Sequence, residues 1–403
     1  MTQHKDRVTN HEQLKLVNAA RVYQLIDLYG PVSRVSIAQQ TALAPASVTN
    51  ITRQLLDHNL ISEVAQQAST GGRPAISLTT RQTGFYFVSC RLGRDVIQCA
   101  AMDLSGQTHF EQQTRLEEHD KQGIVHTLLD QIQQITNRFP QQRFVAIAVT
   151  MAGLVDPASG IIHYSPNHSI SGLKLSEVLK DFSLPVYIGN DIRARALSEF
   201  YLGSAQQCDD FILVSIHNGV GAGIISDGQL LLGKHRPVGE IGHVQIDPFG
   251  KQCHCGSFGC LETVVSNPAI IEQTRELLER GHPSCLTAQN LTIESICHAA
   301  TQGDAVANHV MEQAAKYLGQ VLGMLVNVFN PEKILLSGEI AQSSPVLFPL
   351  LMQQIKRQTL PSFSGNLTLD RATFQHQDTI GGYALIKRAL HDSDLLRHIM
   401  QNQ

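Results

Sequence analysis

The pattern that most narrows what this chain can fold into is an alternation that begins near residue 85. Short apolar runs (Phe85–Val88, Phe144–Val149, Val186–Ile188, Phe211–Ile216 and Lys333–Leu336) are separated by longer stretches with helical periodicity. Strands that alternate with helices imply an α/β body, because a parallel strand needs a crossover to return to its sheet. The strand-rich stretches form two groups, 85–190 and 210–380, which read as two lobes of one fold. An apolar content of 42% across 403 residues is enough for a sizeable core.

The first 80 residues follow a different rule. Val22, Leu25, Ile26 and Tyr29 make one apolar helical stripe, which Gly30-Pro31 stops. A short second helix is expected around Arg34 to Thr41, with Ile37 and Ala38 inward, followed by a tight turn at Ala42-Leu43-Ala44. Pro45 suits the first position of a third helix, where its missing N–H is not needed. That helix would bury Val48, Ile51 and Leu55 and expose Ala46, Ser47, Thr49, Asn50 and Arg53. Short polar side chains beside one arginine suit a helix entering the DNA major groove, where arginine meets the two acceptors of guanine. Leu60-Ile61 opens a strand, and residues 64–78 read as a wing around a Gly71-Gly72-Arg73-Pro74 tip, with Arg73 placed for phosphate or minor groove. The whole reads as a winged helix-turn-helix.

Charge fits this division. The chain carries a net −4, of which residues 1–80 contribute +2 and the remainder −6, so the chain as a whole is not built as a polyanion binder, while the asymmetry permits a nucleic-acid-binding head. No apolar run approaches the roughly 20 residues of a membrane span. The polar start, MTQHKDRVTN, lacks the apolar core of a signal peptide, and the expectation is a cytoplasmic protein without a disulfide framework.

Eight cysteines divide into two sets. Cys90, Cys99, Cys208, Cys285 and Cys297 are scattered and read as small buried hydrophobes. Cys253, Cys255 and Cys260 crowd together behind His243, in a His-x9-Cys-x-Cys-x4-Cys spacing. One imidazole and three thiolates make a closed tetrahedral zinc site with no position left for water, so the ion would be structural, one per chain. His254 falls between two ligands and reads as a solvated loop residue.

These residues also carry a resemblance. Gly239-Glu240-Ile241-Gly242-His243 and Cys253-His254-Cys255-Gly256-Ser257-Phe258-Gly259-Cys260-Leu261-Glu262 resemble the signature of the ROK family of repressors, open reading frames and sugar kinases. Gly189-Asn190-Asp191 and Pro166-Asn167 resemble its sugar-binding segments. The Ala44–Ser47 turn, His217–Gly223 and Gln245–Lys251 are most similar to repressors of the Mlc type and less so to those of the NagC type. The resemblance implies an actin-like two-lobed body behind the winged head. The head would span residues 1–82, the first lobe 83–193 with 381–403, and the second lobe 194–380 with the zinc site and an oligomerisation surface. Asn190, Asp191, Glu240, His243 and Glu262 would line a sugar cleft, where carboxylates accept hydrogen bonds from vicinal hydroxyls.

Departures from the kinase pattern argue against catalysis. The family's kinases use an Asp-x-Gly-Gly-Thr turn for phosphate and magnesium; here Arg91-Leu92-Gly93-Arg94-Asp95 stands in its place. A second Gly-Thr-Gly loop reads His217-Asn218-Gly219, and the adenosine-side Gly-Gly reads Ser337-Gly338-Glu339. No bound ATP and no enzymatic activity are expected. The resemblance implies a repressor of sugar-uptake (phosphotransferase system) genes that binds operator DNA as a dimer or tetramer. It would be relieved by the dephosphorylated EIIB domain of the glucose permease, with a sugar or sugar phosphate in the cleft as the alternative. The long helix around Ala305 to Phe329 would supply core, and the tail with Leu395, Leu396, Ile399 and Met400 on one face would dock on the body or on another subunit.

Overall fold

The computed structural model describes residues 2–65, 76–165, 167–168, 170–206, 208–233, 238–375 and 377–401, with the backbone alone for 2–11. The chain forms two compact units, 1–190 with 379–403, and 191–378.

The first unit begins with α1 (Thr2–Tyr29), β1 (Val32–Ser33), α2 (Arg34–Thr41), α3 (Pro45–Asp57), β2 (Ile61–Ala65) and β3 (Ile76–Thr80). The three strands form one sheet in the order β1-β3-β2, and α1 packs on α2, α3 and β3. This is a winged helix-turn-helix. Its core holds Tyr23, Ile26, Ile37, Leu55, Leu60 and Leu78, the apolar stripes of the three helices closed over by the sheet. Ser33 caps α2 by accepting from the Ser36 N–H, and Ala42 makes the turn in left-handed conformation.

The lobe of this unit contains β4 (Phe85–Leu92), β5 (Val96–Asp103), β6 (Thr108–Arg115), α4 (Lys121–Arg138) and β7 (Arg143–Met151). A small sheet of β8 (Leu154–Asp156), β9 (Ile161–Tyr164) and β10 (Leu173–Lys174) follows, then α5 (Leu175–Val178) and β11 (Val186–Asn190). The main sheet runs β11-β7-β4-β5-β6; β4, β5 and β6 form an antiparallel meander, and β7 and β11 join it in parallel.

The second unit opens with α6 (Asp191–Tyr201), β12 (Phe211–Ile216), β13 (Val220–Ser226) and β14 (Gln229–Leu230). It continues through α7 (Glu262–Val265), α8 (Asn267–Glu279), α9 (Ile293–Thr301), α10 (Ala305–Phe329), β15 (Lys333–Ser337), α11 (Ser344–Gln358), α12 (Pro361–Ser364) and β16 (Thr368–Arg371). Its sheet runs β14-β13-β12-β15-β16, again a meander joined by two parallel strands. The two sheets therefore share one order, third-second-first-fourth-fifth. This duplication is the two-lobed, actin-like architecture expected from the sequence. In α10, the small residues Ala307, Ala314, Ala315, Gly319 and Gly323 are buried, and α11 lies against the helix.

The chain returns to the first unit for α13 (Ile380–His391) and α14 (Asp394–Gln401). The tail docks on its own lobe: Leu395, Leu396 and Ile399 are fully buried, and α14 touches α13, β7 and α1. Of the five scattered cysteines four are buried, whereas Cys285 is exposed beside the Asp304 cap of α10, a correction to its reading as a core residue. Among the described residues no helix is long and apolar enough to cross a membrane.

Candidate functional sites: a DNA-reading helix, a cysteine cluster and three altered phosphate loops

On α3, Val48, Ile51 and Leu55 point into the head, while Ala46, Ser47, Thr49, Asn50 and Arg53 are all exposed. Thr49 donates its hydroxyl to the Pro45 carbonyl at 2.9 Å, which leaves its oxygen free to accept. Arg34, which the sequence did not single out, fixes the helix: it donates to Thr52 Oγ1 of α3 at 3.1 Å and pairs with Glu63 of β2 at 2.7 Å. Arg73 and the rest of the wing tip lie outside the described residues.

His243, Cys253, Cys255 and Cys260 come together with their ligand atoms all within 4.8 Å of one another. Four donors about 2.0–2.3 Å from a common ion, at tetrahedral angles, stand about 3.5–3.8 Å apart. Cys253 Sγ lies 3.6 Å from His243 Nδ1, and Cys255 Sγ 3.7 Å from Cys260 Sγ. The loop is shaped for this approach. Gly256 and Gly259 take positive φ, and a Cβ on Gly259 would lie 1.5 Å from the Asp247 carbonyl oxygen. Burial, then the neighbouring thiols, push the Cys260 thiol up to about 12, the behaviour of crowded sulfurs without a countercharge. A bound cation reverses that preference, so the donor set fits a metal.

The expected cleft residues fall on both units, Asn190 on the first and Asp191, Glu240, His243 and Glu262 on the second. Asn190 ends β11 and donates its amide to the Gly153 carbonyl at 3.3 Å. Asp191 begins α6. Glu240, half exposed, pairs at 3.3 Å with the buried Arg193 of α6. Burial pulls the Arg193 guanidinium down from its ordinary value, while Glu240 first and Asp191 second hold its charge. The Glu262 carboxylate accepts from the Val220 N–H at 3.1 Å and meets His254 Nδ1 at 2.9 Å. His254 is thus exposed but paired, where the sequence suggested only a solvated side chain.

The three segments in which the sequence departs from the kinase pattern make internal hydrogen bonds. The first is a tight β4–β5 turn with Gly93 donating to the Val96 carbonyl, Arg91 partly buried and Arg94 exposed. The second and third are joined: His217 Nδ1 lies 2.9 Å from Glu339 Oε2, and Asn267 donates to the same oxygen at 2.7 Å. The Gly338 N–H donates to Gln375 Oε1 at 3.1 Å rather than facing outward. The bond to His217 holds the Glu339 carboxyl down at about 2, Asn267 assisting and partial burial opposing. A carboxylate this acidic is charged at neutral pH and would repel a polyphosphate.

A match to the ROK family spans residues 87–389, and relatives align over nearly the whole chain. The chain belongs to the ROK family. It is 44% identical to the DNA-binding transcriptional dual regulator NagC of Escherichia coli K12, covering 98% of each chain. It is 36% identical to the DNA-binding transcriptional repressor Mlc of the same organism, covering 97% of each. Its structure superposes with a TM-score of 0.90 on a ROK family transcriptional regulator described as a homolog of E. coli Mlc, 42% identical and covering 96% of this chain and all of that one. The likeness includes the head, so this ROK chain sits with the family's sugar-regulon repressors rather than with its kinases. Of the two E. coli regulators, NagC is the more similar in identity, while the superposed structure, 42% identical, is described as a homolog of Mlc.

Proposed function

We propose that this ROK chain is an operator-binding repressor of sugar-uptake genes. Its α3 reads bases through Ala46, Ser47, Thr49, Asn50 and Arg53, and Arg73 assists from the wing. The observation that carries the reading is an exposed polar and basic face on α3, in a head that aligns with NagC and Mlc along almost their full length. A single head covers one half-site, so the working form is a homodimer or a tetramer built from it. One structural zinc ion per chain, held by His243, Cys253, Cys255 and Cys260, fixes the loop that carries Glu240 and leads into Glu262. The body neither binds ATP nor phosphorylates sugar.

The effector follows from the same likeness. Greater identity to a protein called the N-acetylglucosamine repressor favours direct relief by an amino sugar or its phosphate, held by Asn190, Asp191, Glu240, His243 and Glu262. Capture by the dephosphorylated EIIB domain of the glucose permease is the second reading, kept by the 36% identity to Mlc. Either effector must prefer a conformation that binds operator poorly.

One experiment tests both parts. The protein is used to select duplexes from a random-sequence pool, and bound duplexes are challenged with N-acetylglucosamine, its 6-phosphate, glucose, glucose 6-phosphate and the purified EIIB domain. Selection of a symmetric sequence, loss of binding by Asn50→Ala/Arg53→Ala, and release by an amino-sugar ligand are expected. Release by EIIB alone moves the chain to the second reading, and a protein that selects no duplex is not a repressor.

A further inference from the structure

We propose that Asp27, Lys387 and His391 are positioning residues for operator binding: they clamp the head's α1 onto the lobe's α13 and so set the direction in which α3 faces DNA. The proposal rests on the DNA-binding reading above.

The three side chains are only 4%, 4% and 5% exposed, which is rare for ionisable groups unless they are paired. They lie where the winged head meets the lobe, 360 and 364 residues apart in sequence. Asp27 uses both carboxylate oxygens, Oδ1 toward Lys387 Nζ at 2.5 Å and Oδ2 toward His391 Nε2 at 2.9 Å. Lys387 and His391 are one turn apart on the same face of α13. A carboxylate gripped at two points resists rotation of α1 about its axis as well as separation from α13. Burial alone would push the Asp27 carboxyl up; the bond from His391 and the charge of Lys387 outweigh it and hold the carboxyl below its usual value. Tyr23, one turn earlier on α1, lies beside them, its ring 6.4 Å from that of His391 and tilted by 60°.

Both sides of the clamp are anchored. On the lobe side, Gly382 brings α13 against β4 and β7, where a Cβ would meet the Ser89 hydroxyl at 2.0 Å and the Ala148 side chain at 3.2 Å. Ser89 Oγ donates to the Thr379 carbonyl at 2.5 Å, just ahead of the helix. On the head side, α1 packs directly on α3. Apolar burial could hold head and lobe together without charges. A buried ion pair adds little net stability for its desolvation cost, and the role assigned to this one is to select a single geometry through its two-point grip on Asp27.

In a dimer, the angle of each head sets the distance between half-sites, so the clamp predicts a spacing effect. The full chain is used to select duplexes, and four probes are made: the selected two-half-site duplex, the same with spacing changed by 2 or 5 base pairs, and one half-site alone. Asp27→Asn and the apolar triple variant Asp27→Leu/Lys387→Met/His391→Leu are compared with the parent. Both should keep single-half-site affinity within about twofold. Both should lose about tenfold or more on the two-half-site duplex, where the second head binds at an effective concentration fixed by geometry. Their spacing preference should flatten, whereas Lys387→Arg alone, which keeps a cation against the Asp27 carboxylate, should retain it. Amide exchange over residues 19–29 should accelerate while β4 and β7 stay protected. Variants with the parent's spacing preference, or with equal losses on half-site and full site, overturn the clamp and leave the repressor reading intact. A parent that selects no duplex overturns both.

Discussion

Glu339 shows how one residue alters a nucleotide-binding scaffold. Its carboxylate takes hydrogen bonds from His217 and Asn267. The bond from His217 comes first in lowering its pKa from 4.5 to about 2. A depressed carboxyl contributes stability that is complete above its unfolded value and fades as pH falls through the folded one. Glu339→Gln should therefore cost about 1.5–3 kcal/mol at pH 7, the range for charged hydrogen bonds. At pH 3.5 the difference from the parent should shrink by about 1 kcal/mol. Urea titrations of both proteins at the two pH values decide it, and a pH-independent difference would remove the charge from the explanation. The sequence exposed the replacement itself, since Ser337-Gly338-Glu339 departs from a glycine pair. It could not reveal the partner, because His217 and Glu339 are 122 residues apart and single-sequence periodicity carries no information across that distance. Arg193 and Asp27 were missed for the same reason. Each is an ordinary surface-type residue until the fold buries it against a remote partner.

Among the elements, the loop from His243 to Glu262 was the most legible, because a metal site writes its requirement into spacing and residue type. Four soft donors within 18 residues define it before any coordinate is known. What spacing could not give was the backbone: Gly259 folds against Asp247, and short bridges pair Gln245 with Cys260 and Gln252 with Phe258. Protein purified without chelator should contain about one zinc per chain, and Cys260→Ser or His243→Ala should contain little. Because binding energy at a structural site is folding energy, the variants should melt several degrees lower, with the loss concentrated in the second unit. Metal analysis beside a melting curve checks both, and a full zinc complement in Cys260→Ser would exclude this ligand set. The head's α3 was equally readable, since its amphipathic period and Pro45 start both appear in the structure. The wing was legible as two strands, β2 and β3, while its tip lies outside the described residues.

At the scale of the whole molecule, duplication is the main fact. Two sheets with one strand order carry different side chains on their loops, and only the strand runs, not the order, could be read from the sequence. The loops that would serve a nucleotide now close on themselves: Gly93 on Val96, Gly338 on Gln375, His217 on Glu339. Magnesium-ATP should leave the melting temperature unchanged, and glucose or N-acetylglucosamine should yield no sugar phosphate. Replacing Arg91 with Asp and Arg94 with Gly should not restore turnover, because Glu339 still stands in place of the second glycine of the adenosine-side pair. Coupled-enzyme detection of ADP measures this directly, and steady release in the presence of sugar would contradict the assignment.

The chain passes between its two units twice, at 190/191 and at 378/379, and α13 starts immediately after the second passage. From that passage to Lys387 is eight residues of continuous helix, about 12 Å of rise. A displacement at the 378/379 passage would therefore enter the first unit at the start of the helix that carries Lys387 and His391, within about three turns of both.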